Sequence, residues 1–259
     1  MWYLLQMTTD KKILVAFDFD HTIIDGNSDI EITHLCPDGK VPQDIKDKYS
    51  DRSWTNYMAA IFKHIHEHGK TAEDMMETIN EIPLTEGMTE LLQFLSQDPF
   101  EVIIISDSNS VFIDYSLKHY KLDCVSSVYT NPATYDENGL LKIEYYHTQD
   151  WCDLSTVNLC KGHILEEHIK QSGHSYQYVL YVGDGSNDLC PGLRLSNSDY
   201  LFPRKDFSLW KKLNVAGCLD GGTSELDLKA KVVEWTSGSQ VLNVCKEVCR
   251  DSQLQGNKV

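Results

Sequence analysis

The run Lys12-Ile13-Leu14-Val15-Ala16-Phe17 constrains this chain more than any other segment, because it stops abruptly at Asp18 and meets a second acid, Asp20, two residues later. A short, partly β-branched apolar run of this kind reads as a buried strand whose carboxyl end opens on a ligand crevice. The strand delivers two carboxylates there. Carboxylates so close repel one another, and burying them unpaired is costly, so the crevice holds an extra proton or a cation. Magnesium meets that need with hard oxygen ligands and leaves places for water and a substrate phosphate.

Other acids stand where such a cation needs them. The apolar, aromatic run Tyr178 to Val182 leads into Gly183-Asp184-Gly185-Ser186-Asn187-Asp188, with glycines on both sides of Asp184 for a tight turn and Asp188 one helical turn further on. Between the two acidic strands, Val102-Ile103-Ile104-Ile105 ends in Ser106-Asp107-Ser108-Asn109. Asn158-Leu159-Cys160-Lys161 then opens an amphipathic segment with its lysine at the helix start.

Taken together, Asp18-x-Asp20-x-Thr22, Ser106, Lys161 and Gly183-Asp184-Gly185-x-x-Asp188 resemble the four motifs of the haloacid dehalogenase superfamily phosphatases, in the right order over most of the chain. The surroundings of those motifs, including Ile23-Ile24-Asp25-Gly26-Asn27-Ser28-Asp29, Thr130-Asn131-Pro132 and Leu189-Cys190-Pro191, are similar to the small group of phosphatases for phosphoethanolamine/phosphocholine and pyridoxal phosphate. The run Ser106 to Asp114 lies nearer the pyridoxal phosphate side. Relatives usually carry His-x-Cys-x-x-Cys shortly before the lysine helix, whereas here Ser155 stands where a second cysteine would follow Cys152.

The resemblance implies a Mg²⁺-dependent phosphomonoesterase. Asp18 attacks phosphorus to give an aspartyl-phosphate, and Asp20 serves as general acid and then general base. Lys161 and Ser106 hold the phosphoryl oxygens, while Asp18, the Asp20 backbone carbonyl and Asp184 bind the metal, with Asp188 as a ligand or an orienter. Thr22, Asp29, Asp107 and Asn109 are candidates for binding the substrate. Asp29 and Asp107 exceed what phosphoryl transfer requires and fit a cationic head or the polar edge of a pyridine ring; a helix cap is the alternative for Asp29.

Strand-like and helix-like segments alternate from Ser106 to Pro203, so the expected architecture is α/β with a Rossmann-like parallel core. The expected strands are 13–18, 101–106, 125–129, 178–183 and 199–202. Residues 27–84 lack a strand and place Trp54, Tyr57, Met58, Ile61, Phe62 and Ile65 on one helical face, which marks them as an inserted helical cap. The core is then 1–26 plus 85–250. Asp136 to Gly139 is a turn that opens a small hairpin, and 251–259 reads as a disordered polar tail.

A formal charge of −16 argues against nucleic acid, whose phosphates need a basic face, and leaves a small phosphorylated metabolite drawn in by local cations. Met1 to Leu5 is too short an apolar stretch for a signal peptide, and no run reaches membrane length, so a cytoplasmic protein is expected. The eight cysteines form no framework and read as reduced thiols. His64 and His68 share a helix face without a completing ligand, Cys245 and Cys249 read as packing, and Arg204-Lys205 lies either at the crevice or on the surface. Alternatives are a phosphoserine phosphatase, a pyrophosphatase or a phosphomutase on the same scaffold, or a non-enzymatic acidic metal-binding protein. The last is poor as a calcium loop, because Ile23 sits at the obligatory glycine position. Oligomeric state is not specified.

Overall fold

A computed structural model describes residues 12–47, 49, 54–219 and 226–256. The Met1 to Leu5 stretch and the last three residues of the expected tail lie outside them. Six parallel strands form the central sheet: β1 (Lys12–Phe17), β2 (Phe100–Asn109), β3 (Val125–Asn131), β6 (Tyr176–Gly183), β7 (Tyr200–Pro203) and β8 (Lys231–Val232), in the order β3-β2-β1-β6-β7-β8. A separate antiparallel hairpin pairs β4 (Ala133–Tyr135) with β5 (Leu141–Ile143).

The strand sequences are nearly continuous in apolar residues because the sheet is buried on both faces. Ile13, Val15 and Phe17 of β1 enter one core with Val102, Ile104, Leu180 and Val182, while Leu14 and Ala16 enter the other with Ile103, Ile105 and Tyr181. The first core is covered by α5 (Met88–Leu95), α6 (Ser110–Tyr120) and α10 (Gly238–Gly256), and the second by α7 (Lys161–Gln171), the short α8 (Leu189–Gly192) and α9 (Ser208–Val215). Helix α5 shows the logic. Met88, Leu91, Leu92 and Leu95 recur at helical spacing and are all buried, and Gly87 before them takes φ 73°, a left-handed turn that a side chain would strain.

Register fixes the site. Phe17 lies opposite Ile104 on one side and Val182 on the other, so Asp18, Ser106 and Asp184 leave the sheet at neighbouring points on one edge.

A helical cap is inserted after β1, comprising α1 (Ser28–Ile32), α2 (Gln43–Lys46), α3 (Trp54–Glu67) and α4 (Ala72–Asn80). Met58, Ile61, Phe62 and Ile65 are buried along α3 as their spacing predicts. The chain leaves and returns through a narrow neck: Ile24 bridges Leu84, Asp25 N donates to Pro83 O at 2.7 Å, and Thr85 N donates to Ile23 O at 3.0 Å. The β4–β5 hairpin packs on the cap, with Asn56 Nδ2 donating to Tyr145 Oη at 2.9 Å.

Three expectations need correction. Strand β8 is absent from the sequence reading because it has only two residues, Lys231 and Val232, and is defined by pairing with β7 rather than by any apolar run. Strand β2 runs through the polar residues to Asn109. The expected tail is helical through Gly256, since Val241, Cys245 and Val248 bury one face of α10 and Ser252 Oγ donates to Gln177 Oε1 at 2.7 Å.

Candidate active site

Lys161 is the centre of the site. Its side chain is 1% exposed, and its ammonium lies 2.7 Å from Asp18 Oδ2 and 2.7 Å from Asp188 Oδ1. Position follows from sequence: Lys161 is the first residue of α7, Asp18 follows β1, and Asp188 ends the turn after β6. Burial opposes the lysine's charge, but the charges of Asp18 and Asp188 hold its ammonium above the usual lysine range.

Asp188 is fully engaged. Its Oδ1 also accepts from Tyr181 Oη at 2.8 Å, and its Oδ2 accepts from the backbone N–H of Asp184 at 3.0 Å and of Gly185 at 2.8 Å. It therefore positions Lys161 and the Asp184 turn. Gly183 makes room, since a Cβ there would collide with the Asp188 carboxylate.

Asp18, Asp184 and Asp188 bring carboxylate oxygens within 4.8 Å of one another. Three carboxylates against one ammonium leave an excess of two negative charges when all are ionised. The chain alone answers with protons: burial, reinforced by Asp188, pushes Asp18 up to about 7, and burial with the charges of Asp18 and Asp188 pushes Asp184 up to about 8. Asp184 has no hydrogen-bond donor on its carboxylate among the described residues. A hard divalent cation fits this donor set.

Asp20 is held apart. Ser28 donates to it twice, from N at 2.7 Å and from Oγ at 3.2 Å, and Ser28 Oγ is itself 2.8 Å from Ser108 Oγ. Burial first, then the Asp29 charge, raises this carboxyl well above the ordinary range. Burial therefore favours the protonated form of this carboxyl over a wider pH range than an exposed aspartate has. Ser106, 1% exposed, accepts from Ser108 N at 3.2 Å and keeps its hydroxyl proton free to donate.

One cavity of about 160 Å³ is lined by Asp18, Asp20, Ser106 and Asp184 together with Asp29, Trp54, Asp107, Asn187 and His21. Asp29 is not a helix cap, because Asn27 caps α1 by accepting from Ile30 N at 3.0 Å. Asp29 Oδ2 accepts from Trp54 Nε1 at 2.6 Å, its Oδ1 is buried without a partner, and burial pushes it up to about 7. Asp107 accepts from Asn158 Nδ2 at 2.9 Å and from Asn187 Nδ2 at 2.5 Å, which binds the β2 loop to the α7 and α8 approaches.

Two sequence candidates fall elsewhere. Asn109 is the N-cap of α6, accepting from Val111 N and Phe112 N at 3.1 Å each, and is absent from the cavity wall. Thr22 is fully buried and likewise absent from that wall. Reading the sequence missed Ser108, Tyr181 and Asn187 as site residues, and gave Trp54 only a packing role. The polar pair Ser106/Ser108, alternating along one strand, was the available signal for the first; a tyrosine inside an apolar strand gave none. Arg204 is 9% exposed and braces the β1 loop through His21 O at 2.5 Å and Asp25 Oδ1 at 2.7 Å.

A parallel sheet carrying an aspartate pair, a buried lysine and a second acidic turn at one edge, beneath an inserted helical cap, defines the haloacid dehalogenase class of hydrolases. A solved substrate-bound phosphoserine phosphatase shares this fold, with a TM-score of 0.61 at 18% identity over 90% of this chain and 98% of that one. The chain belongs to the family described as putative phosphatase, whose model matches residues 13–248. It is 39% identical to the Homo sapiens pyridoxal phosphate phosphatase PHOSPHO2, covering 93% of this chain and all of that one. It is 32% identical to the Homo sapiens phosphoethanolamine/phosphocholine phosphatase, covering 89% and 86%. The chain is a phosphatase, a hydrolase of phosphoric monoesters. Among the described residues, no helix is long and apolar enough to cross a membrane.

Proposed function

We propose that this phosphatase hydrolyses pyridoxal phosphate or a chemically related small phosphate ester, using Asp18 as nucleophile and Asp20 as general acid and base. The observation that carries the reaction is the separation of roles in the cavity. Asp18 is fixed by Lys161 and by the Phe19 N–H at 2.7 Å, while Asp20 accepts from Ser28 and is held by burial well above the ordinary carboxylate range.

Asp18 attacks phosphorus in line with the ester oxygen, and the bond to that oxygen breaks as Asp20 gives it a proton. The aspartyl-phosphate is then cleaved by a water whose proton passes to Asp20, releasing inorganic phosphate and restoring both acids. Lys161 and the Ser106 hydroxyl steady the phosphoryl oxygens as their charge redistributes. Asp18, Asp184 and the Asp20 carbonyl would hold a Mg²⁺ ion, with Asp188 orienting them, and the ion would supply positive charge to the phosphoryl group. The cap, 27–84 by this reading, closes the leaving-group end of the cavity and excludes water.

Substrate preference rests on Trp54, His21 and Asp29, which line the cavity. Trp54 and His21 present flat aromatic surfaces, and Asp29 offers a carboxyl near its own titration point to a pyridine nitrogen, a phenol or an ammonium. The greater identity with the pyridoxal phosphate relative favours the ring over the aminoalcohol. The test is a ranking of kcat/KM for pyridoxal phosphate, phosphoethanolamine, phosphocholine, phosphoserine, pyrophosphate and p-nitrophenyl phosphate, with Mg²⁺ and with a chelator. Pyridoxal phosphate should lead, and activity should vanish with the chelator. Phosphoserine or pyrophosphate in first place would overturn the substrate assignment.

A further inference from the structure

Behind the phosphate site lies a second group of ligating atoms. The sulfurs of Cys152, Cys160 and Cys190 all lie within 4.8 Å of one another, with Cys152 and Cys190 at 3.5 Å and Cys160 and Cys190 at 3.8 Å. None is in a disulfide, whose sulfurs would sit about 2.05 Å apart. A tetrahedral zinc ion with Zn–S bonds of about 2.3 Å places its sulfurs roughly 3.8 Å from each other. The spacings of 3.5 and 3.8 Å are close to that tetrahedron, and Ser155 Oγ lies 3.5 Å from Cys152 Sγ as a further donor beside the trio.

The trio is assembled by devices that have nothing to do with sulfur. Gln149, 4% exposed, gathers the Cys152 turn by donating from Nε2 to the carbonyls of Cys152, Ser155 and Thr156 and accepting from Cys152 N. Cys160 caps α7 with its N–H donated to His147 Nε2 at 2.9 Å, which orients the residue and occupies that ring nitrogen. Gly162 lets α7 approach α8, since a Cβ there would lie 2.6 Å from Cys190 Sγ. Soft thiolates in a tetrahedral set select zinc over magnesium, so the two metals sort by donor type.

We propose that Cys152, Cys160 and Cys190 bind one zinc ion as thiolates, with Ser155 at the fourth position, in a structural site distinct from the acidic one. Each thiol releases its proton to solvent as its sulfur–metal bond forms, with no change of oxidation state. The ion joins the Cys152–Cys160 loop to the Cys190 helix, some thirty residues further on. Cys160 immediately precedes Lys161 and Cys190 follows Asp188 by two residues, so the bound ion fixes the separation of the two segments that carry the Lys161–Asp188 ion pair.

The test uses the full chain purified from zinc-supplemented medium, desalted in excess Mg²⁺ and assayed by elemental mass spectrometry, followed by metal removal and titration with Co²⁺. The expected results are one zinc per chain and a thiolate-to-cobalt charge-transfer band with tetrahedral d–d absorption. That band persists in Asp184→Asn, whose acidic site contains no sulfur, and is lost in Cys152→Ser. Because Cys152→Ser could act through misfolding, Ser155→Cys provides a gain-of-function arm. It should raise zinc affinity about tenfold or more in chelator competition, the order by which changes around a metal move its binding. No retained zinc together with no charge-transfer band in the wild type and in Ser155→Cys would overturn the proposal. So would a native protein lighter by two hydrogens, which would mean a disulfide among these three sulfurs.

Discussion

Lys161 is one cation answering to several acids, and the individual side chains around it carry the sharpest expectations. Asp18→Asn keeps the shape and the Phe19 contact while removing the proposed nucleophile, so kcat should fall by roughly 10⁴-fold or more with an unchanged circular dichroism spectrum. Residual turnover near wild type would remove Asp18 from its role. Asp29→Asn separates substrate reading from scaffolding: kcat/KM for pyridoxal phosphate should drop about tenfold more than for p-nitrophenyl phosphate. Equal losses would reduce Asp29 to a support for Trp54. At this scale much was legible in the sequence, because Asp18, Asp20, Ser106, Lys161, Asp184 and Asp188 are residue types whose chemistry is costly to bury without purpose. Trp54 and Tyr181 were illegible as site residues, since an aromatic ring in an apolar pattern looks identical whether its polar atom meets solvent or a buried carboxylate.

Elements carry the next level. Strand β2 and helix α6 join at Asn109, whose side chain takes two orphan N–H groups of the first helical turn. Asn109→Ala should therefore cost about 1 kcal/mol in urea unfolding while leaving the relative ranking of substrates intact. A change of ranking would return Asn109 to the list of substrate-reading residues. The two readings of Asn109 have a physical source: a polar residue just past a strand serves equally well as a cap or as a ligand, and a helix beginning at the next residue gives it the cap role seen here. Strands β1, β2, β6 and β7 were readable from their apolar runs and β3 from β-branched and aromatic residues in Val125-Ser126-Ser127-Val128-Tyr129, whereas the pairing of Lys231 and Val232 arises from contact with β7 and leaves no local trace. Helix α10 outran its expected end for the same reason, its last turns being held by Gln177 across the surface.

For the molecule as a whole, protonation and charge set the response to conditions. In metal-free protein, Asp18 and Asp29 near 7 and Asp184 near 8 stand above the ordinary carboxylate value of 3.8, so the folded chain retains protons that the unfolded chain has released. Stability should then be greatest below about pH 4 as far as these groups are concerned and decline as pH rises towards about 8. The raised Lys161 acts only in more alkaline solution. Mg²⁺ bound to the ionised acids should reverse the decline, adding about 2.7 kcal/mol at roughly 100 times its Kd, so its effect on Tm should be larger at pH 8 than at pH 5. Thermal melts with chelator and with Mg²⁺ at both pH values check this, and a larger Mg²⁺ effect at pH 5 would contradict it. With −16 formal charges repelling an anionic substrate, kcat/KM should also rise with ionic strength, as a salt titration with KCl would record. The order of strands has one more effect, on synthesis. β1 is made before both of its neighbours, β2 and β6, and the second of them does not begin until residue 176. Throughout that interval a nascent chain carries the future catalytic strand as an open, adhesive border, so a ribosome stalled short of residue 176 would leave an aggregation-prone stub with no catalysis.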